Sequence, residues 1–137
     1  MTNQINTDLQ FPLGSDNIRL LAEIGLMAAT SGHVEIANQL FDGLSFLRPT
    51  KPFPYVGKAV ALMHVGMLDD AIAELISAVS KVEDDHEQIW IYLGLAYQRR
   101  GYLSTARKIF HLLIESGDLS KIDEQLVKSI SKNDPLF

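Results

Sequence analysis

A single period runs through this chain. Glycine followed five residues later by alanine occurs as Gly32/Ala37, Gly66/Ala71 and Gly101/Ala106, spaced by 34 and then 35 residues. A repeat of that length is one supersecondary unit, and such units bury their apolar faces only against their neighbours. The glycine suits the turn between two helices, where φ > 0 is strained for any residue with a Cβ. The alanine suits a close crossing of the second helix over the first. The reading is all-α, with helix pairs at about 17–31 and 34–47, 53–65 and 68–82, and 87–100 and 103–116.

The best-formed copy spells Trp90-x2-Leu93-Gly94-x2-Tyr97 and then Ala106-x3-Phe110. This is similar to the tetratricopeptide repeat (TPR), whose small residues mark the helix crossings and whose large ones fill the space beside them. In the first copy Leu21, Ile24, Gly25 and Ala28 take those places, and Phe41 matches Phe110. In the second, Tyr55, Ala59 and Leu62 do so, Leu75 matches Phe110, and Lys58 stands where a large apolar residue is usual. The resemblance implies a TPR-like right-handed superhelix of three helix-turn-helix repeats, over 18–51, 52–85 and 87–120, plus a C-terminal capping helix. Ile122, Leu126, Val127 and Ile130 form the apolar stripe of that helix, read at about 120–133 with Ser120 as its cap.

Ser15 or Asp16 is expected to cap the first helix, and Asp85 the helix that carries Trp90. Pro49, Pro52 and Pro54 keep the link between the first two pairs free of helix. Residues 15–133 read as a single domain, and residues 1–14 as a flexible N-terminal segment whose Phe11-Pro12-Leu13 is placed to tuck onto the first helix or a second subunit.

Composition excludes several functions. The formal charge of −5 and the pI near 5.2 argue against a phosphate-facing basic stripe, so no nucleic-acid partner is expected. There is no cysteine, hence no disulfide or thiolate site. The N-terminus lacks the pattern of a signal peptide, and no apolar stretch is long enough to span a bilayer, which points to the cytoplasm. His33, His64, His86 and His111 fall on different elements with no metal-ligand spacing, and neither a phosphate loop nor a nucleophile motif is present. No enzymatic activity, cofactor or metal is expected. Asp69-Asp70 reads as negative charge at a helix start, and Arg99-Arg100 with Arg107 and Lys108 as a local basic patch.

In TPR folds the first helices of successive pairs line a concave face through repeat positions two, five, nine and twelve. Counted from Ile18, Pro52 and Glu87, these are Arg19, Ala22, Leu26 and Ala29; Phe53, Val56, Val60 and Met63; and Gln88, Ile91, Leu95 and Gln98. The apolar members Leu26, Phe53, Val56, Val60, Met63, Ile91 and Leu95 are read as a partner-binding groove, because apolar residues facing solvent ask to be covered. Ala22, Leu26 and Gly57 stand where a carboxylate-holding TPR domain would need amide and cationic donors, which argues against that ligand.

A small, acidic, cysteine-free chain of this plan resembles the TPR chaperones of bacterial type III secretion systems. The likeness includes Leu47-Arg48-Pro49 and covers roughly residues 15–133. It implies a cytoplasmic protein that holds an amphipathic or apolar helix of a secreted needle or translocator subunit and prevents premature assembly. The short chain and the Leu47-Arg48-Pro49 link favour the needle branch, whose members work with a second small co-chaperone. The alternative is a TPR scaffold or assembly factor outside secretion, acting as a homodimer or within a protein complex.

Overall fold

The structure, a computed structural model, describes residues 14–132. Among them all regular structure is helical: α1 (Ser15–Thr30), α2 (Val34–Leu47), α3 (Phe53–His64), α4 (Leu68–Val79), α5 (His86–Arg100), α6 (Leu103–Ser116) and α7 (Lys121–Ser131). No strand occurs among the described residues. The expectations for residues 1–13, and for the end of the last helix at Asn133, lie outside them.

Three of the connections follow one path. Gly32, Gly66 and Gly101 have φ of 82°, 82° and 94°. The residue after each, His33, Met67 or Tyr102, sits near φ −85° and ψ between 65° and 69°. The glycine N–H donates to the carbonyl three residues back, and the next N–H to the carbonyl five back, as in His33 to Ala28, Met67 to Leu62 and Tyr102 to Tyr97. Carbonyls that the helix end leaves unpaired are thereby satisfied, and the left-handed glycine is what permits it.

The starts of the helices hold two corrections. Ser15 and Asp16 lie inside the first turn of α1, whose N-cap is Gly14 with no side-chain bond. Asp85 does precede α5, but at φ 55° its side chain makes no cap bond, and its carbonyl accepts from the Gln88 N–H instead. Ser120 caps α7 as expected, its Oγ accepting from the Asp123 N–H at 3.1 Å.

Each helix packs on the next, and α1, α3, α5 and α7 also touch in succession. Among the described residues the backbones of α2, α4 and α6 do not come close to one another. The odd helices therefore form a continuous row, with the even helices set beside it. Glycines allow the close approach: the Phe41 ring of α2 rests against Gly25 of α1 and Gly57 of α3, where a Cβ would overlap it. Phe110 of α6 rests in the same way on Gly94 of α5. In the middle pair Ala59 and Leu75 are fully buried in one cluster with Ile89 and Leu93.

The proline link is tied down on both sides. Tyr55 Oη donates to the Pro49 carbonyl at 2.6 Å, and the Glu83 N–H donates to the Thr50 carbonyl at 3.1 Å. At the other end α7 covers the last pair: Val127 is fully buried with Ile91, Phe110 and Leu113, and Gln98 Nε2 donates to the Ile130 carbonyl at 3.2 Å.

Candidate partner-binding face

The seven groove residues named from sequence separate into two sets. Leu26 is 42% exposed, and Phe53, Val60 and Leu95 are half-buried. Val56, Met63 and Ile91 are buried, so the expectation that they face solvent is corrected. The reason lies in the helical phase. Repeat positions five and twelve are seven residues apart, two turns on one face, and that face turns toward the next odd helix. Met63 of α3 shares a core with Ile89, Leu93 and Ala96 of α5, and Ile91 of α5 shares one with Val127 of α7. Gln98, at position twelve of the third unit, is spent on the Ile130 carbonyl of α7. Positions two and nine carry what stays accessible: Arg19, Phe53 and Gln88, and Leu26, Val60 and Leu95.

Polar neighbours of this row are engaged elsewhere. Lys58 of α3, anomalous in the repeat pattern, lies with Nζ 2.9 Å from Asp42 Oδ1 of α2 and 3.8 Å from Glu74 Oε1 of α4. Burial pulls its pKa down, but the two carboxylates outweigh it and hold the ammonium above its ordinary value. Lys58 thus fastens three helices together. Arg100 of the sequence-read basic patch places Nε 2.9 Å from Asp69 Oδ1 of α4 and its guanidinium 5.1 Å from the centre of the Tyr102 ring. The hydrogen bond to Asp69 raises its pKa. The patch is therefore partly neutralised by the acidic start of α4.

Sequence reasoning missed one feature. Trp90, read as packing, is 38% exposed and lines a cavity of about 290 Å³ between α5 and α6, together with Ile109, Leu112, Leu113, Glu87 and Asp118. The equivalent Tyr55 is buried, its hydroxyl bonded to Pro49 and its ring 5.5 Å from Lys81 Nζ. The missing signal was the partner of the aromatic, not the aromatic itself.

Among the described residues no group of three His, Asp or Glu side chains is arranged to hold a metal ion, and no helix is long and apolar enough to cross a membrane. No family model matches the chain, and no curated protein matches it significantly.

Proposed function

We propose that this chain is a cytoplasmic TPR chaperone of the kind that serves bacterial type III secretion, holding an apolar or amphipathic helix of a secreted subunit along the row α1, α3, α5. One observation carries the reading: the same position of three successive odd helices holds Leu26, Val60 and Leu95, all large and apolar and none fully buried. Phe53 adds a fourth, half-buried side chain beside them. The 34- and 35-residue period and the recurring glycine turn support a TPR-like right-handed superhelix, in which these residues would share one concave face.

The mechanism is occlusion. A client helix that presents aliphatic residues at i, i+3 or i+4, and i+7 removes its own assembly face from water by laying it on Leu26, Val60 and Leu95. Burial of apolar area supplies roughly 25 cal/mol per Å². The row has no ring of charged donors, so selectivity rests on shape and on flanking Arg19 and Gln88 more than on ion pairing.

The test is a double variant, Val60→Asp with Leu95→Asp, titrated calorimetrically with a synthetic amphipathic helix that carries aliphatic residues at i, i+3 or i+4, and i+7. Binding is expected to vanish while helical circular dichroism is unchanged. Undiminished binding would put the client on another face. A chain that is a stable homodimer and takes up no such helix would favour the assembly-factor alternative.

A further inference from the structure

The joint between the two helices of a unit is filled differently in each copy. Tyr55 and Trp90 each stand eleven residues before a turn glycine, Gly66 or Gly101, and Lys81 and Ser116 each stand fifteen after it. The middle unit supplies its own cation to the aromatic, Lys81 Nζ lying 5.5 Å from the centre of the Tyr55 ring. In the first unit the same two places hold Leu21 and Leu47, which pack on one core. The third unit does neither. Ser116 Oγ donates to the Leu113 carbonyl at 2.7 Å, and the cavity of about 290 Å³ remains beside Trp90.

We propose that this cavity takes a lysine side chain of a partner protein. An indole offers a cation the most attractive face of the aromatic side chains. Glu87 and Asp118 line the same cavity, and among the described residues neither carboxylate is paired with a Lys, Arg or His side chain. The remaining wall, from Ile109, Leu112 and Leu113, suits the methylene stem that a lysine buries behind its charged head. Leu112 is 63% exposed, apolar surface that a free amine would leave in water and a polypeptide carrying an apolar residue next to the lysine would cover. The partner thus supplies from outside what Lys81 supplies within the middle unit. None of Leu26, Val60 and Leu95 lines the cavity, so the site is independent of any client held along the odd helices.

Trp90 is the one tryptophan of the chain, so its indole N–H resonance reports on this cavity alone. In the full chain, an acetylated and amidated Gly-Lys-Leu-Gly peptide is expected to shift that resonance saturably at millimolar concentration. The same peptide with norleucine in place of lysine, and n-butylammonium, which has the charge and the stem without the chain, are each expected to bind at least about tenfold more weakly. Glu87→Gln with Asp118→Asn is expected to weaken the lysine peptide about tenfold and leave the norleucine peptide unchanged. Ser116→Lys, which rebuilds the arrangement of the middle unit, is expected to block the lysine peptide while helical circular dichroism is unchanged. Equal affinity for the lysine and norleucine peptides would reduce the cavity to an apolar one, and butylammonium binding as tightly as the peptide would make the ligand a free amine. Either result, or no shift with any of the three, would overturn the proposal.

Discussion

The two ends of the helix row are built differently. At the C-terminal end α7 closes over Ile91, Phe110 and Leu113 with Val127 fully buried, and its outer surface carries Lys121, Glu124, Gln125 and Lys128, with Ile122 as the apolar exception. At the N-terminal end α1 turns Leu20, Ile24 and Met27 outward. Exposed aliphatic surface of this kind is more costly in water than charged surface. The contrast teaches that two helices on the same row can present opposite surfaces, α7 mostly charge and α1 aliphatic side chains.

The largest effects that test the contrast are at the interlocking rings. Phe41→Ala and Phe110→Ala should each cost about 3–5 kcal/mol in urea unfolding. Phe41→Ala is expected to cost more, because its ring is seated against both α1 and α3 whereas Phe110 meets one glycine. Equal losses would mean that the double seat adds nothing. A smaller and more direct comparison sets Val127→Ala, expected to cost about 2 kcal/mol, against Ile24→Ala, expected to cost about 1 kcal/mol or less because it is only in part removed from water. Should the two cost the same, the ends are equally closed.

The smallest effect is on the pH axis. Tyr55 and Lys58 stand at the junction of the first two pairs, and Tyr92 stands near α7. Tyr55 is raised above 10.0 by burial and then by Glu74, and Tyr92 by burial and then by Asp123. Lys58 is raised above 10.5, because its carboxylate partners outweigh its burial. A group whose folded pKa is raised binds its proton more tightly in the native state. Its contribution is therefore complete below the unfolded value and is lost as pH climbs through the folded one. Thermal melts should be insensitive to these groups at neutral pH and fall above about pH 10. Phenolate absorbance should show which tyrosines ionise late. Tyr55→Phe should flatten the alkaline decline more than Tyr92→Phe if the junction near α1 is the more sensitive one.

Much of the fold was legible because it rests on local chemistry. Gly32, Gly66 and Gly101 mark turns that only a residue without Cβ enters at low cost, and the helices end within a few residues of where the apolar spacing puts them. Ser120 was legible for the same reason, since its cap bond reaches only three residues on. The face was less so. Helical phase places Val56, Met63 and Ile91 on the odd helices, but whether such a residue looks out or into the next odd helix depends on residues some 30 positions away, such as Leu93 and Val127. Lys58 was unreadable alone, its meaning residing in Asp42 and Glu74, each sixteen residues distant. The failed caps at Ser15, Asp16 and Asp85 show the converse, a favourable residue type whose helix begins on different geometry.

The seats of the rings have one more consequence. At the crossing of each pair the partners are Gly25 with Phe41, Ala59 with Leu75, and Gly94 with Phe110, so the middle pair has moved carbon from the second helix to the first while keeping the joint filled. The crossing behaves as a conserved sum of volumes and not as two conserved identities. Pairwise exchange is then the permitted path for change: Gly94→Ala alone drives a methyl into the Phe110 ring, whereas Gly94→Ala joined to Phe110→Leu rebuilds, one unit along, a joint this chain already uses.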